Sequence, residues 1–311
     1  MKDLLRNEPA LAWKHAVGIE GRDPQSPAAR EAAAAVRRSA QVEALLAGCD
    51  RQASPYKKWD GRHWVISLLA DLGCPPGDES LRLLVDATVD CWLHPAHPRH
   101  VQVMQGRVRR CASQEGNAVW SALRLGFADG RVDELVARLL KWQWPDGGWN
   151  CDKHPEADTS SFMETLIPLR ALALYARVSG DGKAAAAAER AAEVFLSRRL
   201  FLRRRDGRVM DPHFVRLHYP CYWHYDILFA LKVMAEAGFL ADPRCRETLD
   251  LLESRRLPDG GFPAEESYAR PTRPELSGYS PVSWGGTSKG KSNPFVSADA
   301  LSVLRLAGRS R

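Results

Sequence analysis

The chain has 311 residues, of which 45% are hydrophobic and 26% charged, an ordinary balance for a soluble globular protein. Seven scattered cysteines without a C-x-x-C, and no apolar run of about eighteen residues, exclude a disulfide framework and a membrane-spanning helix. The net charge of +6 is arginine spread over helices, and its one dense cluster, Arg198 to Arg205, sits at a helix end, so no nucleic-acid partner is expected.

In chain order, the segment Met1 to Pro9 lacks the apolar core of a secretory signal, and with reduced thiols this implies a cytoplasmic protein. EPALAWKHAVGIEG and AAREAAAAVRRSAQVEALLAG supply an imperfect helix pair within residues 1–50. From 51 to 311 a repeat takes over. Five apolar helical runs close on Gly73, Gly126, Gly180, Gly238 and Gly308, at intervals of 53, 54, 58 and 70 residues. Glycine there suits a helix C-cap, because it adopts the left-handed conformation without penalty. After each of the first four comes an amphipathic helix: DESLRLLVDATVDCWL, DGRVDELVARLLKWQW, DGKAAAAAERAAEVFLSRRLF and ADPRCRETLDLLESRRL. Most begin near an aspartate able to accept orphan backbone N–H groups. No strand is expected. Helix pairs that cannot bury their apolar faces alone must stack. The expectation is one all-α domain over 1–311, an α/α toroid: a closed ring of five to six helix pairs.

Leu139 to Trp149, with Gln143, Gly147 and Trp149, fits Q-x-x-x-G-x-W and resembles the QW repeat of squalene-hopene and oxidosqualene cyclases. Leu251 to Phe262 is a second copy, with Arg256 for glutamine and Phe262 for tryptophan; Met104-Gln105-Gly106 reads as a degenerate third. The recurring Pro-Asp-Gly-Gly-aromatic turn before an apolar helix is similar to that of the terpenoid cyclase and protein prenyltransferase superfamily, and implies its fold. The chain departs from that superfamily's chemistry. D-x-D-D, D-D-x-x-D and the D-x-C of the zinc prenyltransferases are absent, and the last inner helix carries no histidine. A single barrel would also need a partner subunit to take a long linear substrate such as squalene, or would use a smaller substrate.

If the repeats close into a ring, the loops before the inner helices open on one face and bring their polar residues together. Asp226, His224 and Glu115 are the candidate acid–base residues. Candidate substrate-binding residues are Trp59, Asp60, His63, Trp64, Asn117, Asp158, Glu164, His218, Tyr219, Tyr222, Trp223, Lys291 and Asn293, where aromatic rings could line a pocket for a sugar or an isoprenoid. The alternative for each is a helix cap or core filler. Cys151, Asp152 and His154 are too close together for a complete zinc site, and His94, His97 and His100 fall in a proline-broken exposed loop, so no metal or cofactor is expected. Gly285 to Ser292 matches a phosphate-binding loop, but Pro294 and the helical setting exclude nucleotide hydrolysis, leaving two lysines and backbone N–H groups able to hold a diphosphate.

Three functions follow. One is an enzyme performing acid–base chemistry on an isoprenoid or other apolar small molecule, as the resemblance implies. The second is a carbohydrate-active hydrolase or lyase on the same fold. The third is a noncatalytic ligand- or protein-binding scaffold.

Overall fold

Helix follows helix along most of the chain. The computed structural model describes residues 8–97, 101–272 and 274–309. Helix α1 (Pro9–Lys14) runs on into a π-helical turn, His15–Ile19. Then come α2 (Pro27–Val36), α3 (Ala40–Ala47), α4 (Arg62–Leu72), α5 (Arg82–Leu93), α6 (Ser113–Arg124), α7 (Gly130–Trp142), α8 (Phe162–Ser179), α9 (Gly182–Leu196), α10 (Ile227–Ala237), α11 (Arg246–Glu253) and α12 (Pro294–Leu306). Among the described residues no helix is long and apolar enough to cross a membrane.

The caps expected from the sequence are present. All five closing glycines have positive φ, from 71° at Gly308 to 89° at Gly73. Asp129 and Asp181 accept N–H bonds at the starts of α7 and α9, and Asp78 and Asp242 do so at the short 3-10 turns that lead into α5 and α11. Arg198 donates to the Val194 carbonyl (2.9 Å) at the end of α9, which accounts for one member of the arginine cluster.

Two classes of helix result. Helices α4, α6 and α10 are buried almost throughout, and so is the first part of α8. Helix α7 instead buries one stripe, Val132, Leu135, Val136, Leu139 and Trp142, at three- and four-residue spacing. The buried helices pack in sequence, α4 on α6, α6 on α8, α8 on α10 and α10 on α12. Helix α12 packs against α1 and the π-turn, and α1 packs against α4. The amphipathic helices cover them from outside: α5 and α7 lie on α6, α9 on α8, and α11 on α10.

The two Pro-Asp-Gly-Gly turns are built alike. Trp144 N–H donates to Gly148 O and Gly147 N–H to Trp144 O; Leu257 and Gly260 repeat this with Gly261 and Leu257. Thr165 Oγ1 accepts from Trp149 N–H as Ser297 Oγ accepts from Phe262 N–H, and each hydroxyl also donates back to that residue's carbonyl. Ser161 and Asn293, the N-caps of α8 and α12, donate their N–H to the same two carbonyls. Gln143 ties its turn to the neighbouring helix by donating to Gly147 O (2.7 Å) and Ala187 O (2.8 Å), while its own oxygen accepts from Arg190. Gly147 has φ 99°, and a Cβ there would lie 2.3 Å from the Arg190 carbonyl oxygen, so only glycine fits. Trp149 is buried and its indole N–H donates to Leu139 O at 3.0 Å.

Two expectations fail. Met104-Gln105-Gly106 is not a third copy of this turn, and strands do occur. Gln102–Met104 (β1) and Arg107–Arg109 (β2) form an antiparallel hairpin. Gln105 (φ 50°) and Gly106 (φ 71°) supply the two successive positive φ values that a tight hairpin turn requires.

Candidate functional site

Helices α1, α4, α8, α10 and α12 carry isolated charges among apolar residues, and the packing brings one or two from each to one place. Lys14 of α1, Asp71 of α4, Arg170 of α8, Lys232 and Glu236 of α10 and Asp299 of α12 form a continuous network. Asp71 accepts from Lys14 (3.0 Å), Lys232 (2.6 Å), Arg170 (3.4 Å) and the Tyr219 hydroxyl (3.1 Å). Asp299 accepts from Lys14 and Lys232, each at 2.8 Å, and Glu236 holds Arg170 through both oxygens at 2.5 and 2.7 Å. The Arg170 guanidinium also lies 3.5 Å over the Trp120 ring.

Burial alone would raise the Asp71 carboxyl, but Lys14, Lys232 and Arg170 override it and hold it well below the ordinary carboxylate range. Glu236 is lowered by Arg170 in the same way, against its burial. Lys232, which burial would lower, is raised by Asp299 and Asp71. Asp71, Glu236 and Lys232 therefore stay charged at neutral pH.

Above the network opens a cavity of about 200 Å³. Trp13, Val17, Ala70, Trp120, Leu174 and Ala298 give it apolar walls, and Arg124 and Arg177 stand at its exposed mouth. Arg177 donates to the Glu236 carbonyl at 2.9 Å. Arg124 makes no hydrogen bond or ion pair among the described residues. Five cations thus face three carboxylates. Below the network a chamber of about 30 Å³, room for about one water, is lined in part by Ser67, Asn117, Tyr219 and Tyr222.

No family model, curated protein or solved structure matches this chain.

Most of the residues singled out from the sequence lie at or before the opposite, N-terminal ends of the buried helices. Asp226 caps α10, accepting from Phe229 N–H at 2.7 Å, and also accepts from the His218 backbone N–H and lies 2.9 Å from its Nδ1. Burial would lower the His218 imidazole, yet Asp226 raises it; its Nε2 is buried without a partner. His224 is stacked between Trp223 and Tyr268 and pushed down to about 3 by burial. Glu115 is buried and accepts from Arg110 at 2.8 Å. Trp59 stacks on Tyr222 with centroids 4.0 Å apart, and Trp64 meets both edge-on. Trp223 lies under the Lys58 ammonium. Asp60 pairs with Lys57. His63 accepts from the Trp92 indole at 3.2 Å and faces Asn117 at 3.5 Å. Asp158 and Lys291 are exposed, and Asn293 caps α12.

Of this set, Tyr219, Tyr222 and Asn117 reach the lower chamber, and Tyr219 alone bonds to the charge network; none lines the upper cavity. His97 is not a freely exposed loop residue. Its ring packs at a tilt against Trp92 (centroids 4.8 Å apart), contacts Arg110 and approaches Glu115 at 3.4 Å, because a carboxylate and a ring await it there. His100 lies outside the described residues. The donors able to hold a metal that meet among the described residues are Cys111, Cys151 and Glu164.

Proposed function

We propose that this protein is a ligand-binding protein whose helix pairs close into a ring, and whose central cavity takes a small organic anion: a carboxylate or phosphate carried on a compact apolar body. The contact of α12 with α1 supports the closure. The observation that carries the ligand class is the excess of cations in the cavity wall, with Arg124 uncommitted at the mouth. An arginine presents a planar fork of donors suited to carboxylate or phosphate. The two tryptophans and the aliphatic wall suit the apolar part, and a cavity of about 200 Å³ has room for a single ring or a short branched chain.

Acid–base catalysis on an apolar substrate draws less support. The cavity's Asp71 and Glu236 are held ionised by their cations, so neither carboxyl is kept protonated as a proton donor must be. Kinship with the terpenoid cyclase and prenyltransferase superfamily belongs to this proposal too. Its support is the pair of matched turns ending at Trp149 and Phe262.

Titration calorimetry and thermal unfolding with a short prenyl diphosphate, an aromatic carboxylate, a neutral terpene and an oligosaccharide test the reading. An anion at about a hundred times its Kd adds about 2.7 kcal/mol of stability, and Arg124→Gln should weaken it at least tenfold. Binding of the neutral terpene alone would favour the isoprenoid enzyme, and binding of the sugar alone the carbohydrate enzyme. No binding at all would leave the scaffold.

A further inference from the structure

Two loops and one helical turn bring three metal-competent donors together. Cys111 lies just before α6, Cys151 just beyond the turn that ends at Trp149, and Glu164 in the first turn of α8. One ligand atom from each lies within 4.8 Å of the other two, and Cys151 Sγ is 3.7 Å from Glu164 Oε1. A tetrahedral ion bound at ordinary zinc–sulfur and zinc–oxygen distances sets such donors roughly 3.6–3.8 Å apart. The Cys151–Glu164 separation matches one edge of such a shell, and the Cys111 thiol lies within 4.8 Å of both.

A second observation is independent of that spacing. Glu164 is 7% exposed and no lysine, arginine or histidine pairs with it among the described residues. One of its oxygens accepts from the Ser113 backbone N–H at 3.0 Å and the other faces the Cys151 thiol. Arg110, which could have served, is committed to Glu115 and Gln114. Glu115 nearby holds Arg110 as its counter-cation, which leaves Glu164 as the carboxyl of this site without one among the described residues. Ser113 Oγ and Glu115 Oε2 are also buried without partners. A buried anion is stable only when paired or bound to a metal.

We propose that Cys111, Cys151 and Glu164 bind a zinc-class divalent cation through two thiolates and one carboxylate. Two sulfur donors select a borderline-soft ion over magnesium or calcium. Three protein ligands leave one position of a tetrahedral ion for water or a substrate atom, which is the coordination of a catalytic rather than a closed structural zinc site. The site lies at the N-terminal ends of α6 and α8, away from the anion cavity, and does not depend on it.

The test uses the full, untagged chain, stripped with chelator under reductant and titrated with Co²⁺ and then Zn²⁺. One equivalent of Co²⁺ should bind and give a thiolate-to-cobalt charge-transfer band, which one equivalent of Zn²⁺ abolishes. C111S and C151S should each lose most of that band. E164Q should keep the band while weakening binding by at least the ten- to hundredfold that loss of an outer-shell partner costs. A cobalt-loaded wild-type protein without a thiolate band would overturn the assignment, whatever the variants do. So would an unchanged band in the C111S/C151S double variant. A Cys111–Cys151 disulfide found by peptide mapping of protein kept under reductant would replace the metal with a redox pair.

Discussion

His63 sits fully buried among the rings of Tyr56, Trp64 and Trp92, and lowering the pH should reveal what its neutral state costs. Burial pushes its imidazole down from 6.5 to about 3. Its Nδ1 accepts from the Trp92 indole, so the neutral ring already fills the role the packing gives it. For a depressed base the unfolded chain binds the proton and the folded chain does not, across the window from about 6.5 to 3. Stability must therefore fall as the pH falls through that window. The linkage amounts to about 2 kcal/mol at pH 5 and about 3 kcal/mol at pH 4. His63→Gln removes the titration and keeps an acceptor within reach of Trp92. Urea unfolding near pH 7 and pH 5, on both proteins, reads the difference. The wild type should lose about 2 kcal/mol more than the variant, while His224 and His218 contribute equally to both and cancel. Equal losses in the two proteins would refute the reasoning, and would mean that His63 is reached by solvent and free to serve as a chemical group.

Two further outcomes bear on the charge network and the repeat. Asp71→Asn leaves Lys14 and Lys232 only Asp299 and leaves Arg170 only Glu236, and should cost about 3 kcal/mol in chemical denaturation. Because the Asp71 carboxyl is depressed, its contribution is present above about pH 3.8 and lost below it, so the variant's acid limb should be flatter. A loss under about 1 kcal/mol would show that the network is not coupled to folding. Trp149→Ala removes a buried indole and its bond to Leu139 O and should cost about 3–5 kcal/mol by thermal unfolding; a cost no larger than that of an exposed tryptophan would deny the turn its role in stacking the repeats.

The helix pairs were legible because their signals are local. An apolar run, a closing glycine with positive φ and an aspartate at the next start all act within a few residues, and each reappears in the fold. The charge network was not legible by the same means. Lys14 and Asp299 are 285 residues apart, and the pair forms only because α12 packs back on α1. Its trace in the sequence is a charge lodged in an apolar helix: Asp71 in HWVISLLADL, Arg170 in LIPLRALAL, Lys232 in ILFALKVMA, Asp299 in FVSADALSV. Periodicity treats each as an interruption, and only their convergence makes them a site. Cys111 escaped for a related reason. A search for ligands close in sequence stops at Cys151, Asp152 and His154, whereas the fold draws Cys111 in from the preceding repeat.

The division of charge between the two ends of the buried helices has a common cause. The upper cavity is lined by the C-terminal parts of α4, α6, α8 and α10, where backbone carbonyls end and the partial charge is negative. Arg124 and Arg177, near the ends of α6 and α8, suit that field. Asp71 and Glu236 oppose it, and each is held by at least one cation. At the other ends the N–H groups favour anions, and there Asp226 caps α10, Glu164 stands in the first turn of α8 and Glu115 in the first turn of α6. The loop carboxylates that look catalytic in the sequence thus lie at the end where backbone dipoles place carboxylates for structural reasons. The cations that could hold an acidic ligand collect at the end with the fewest loop signals. The two proposed sites follow the same polarity: the anion cavity gathers cations at the carbonyl ends, and the metal site gathers thiols and a carboxylate at the N–H ends.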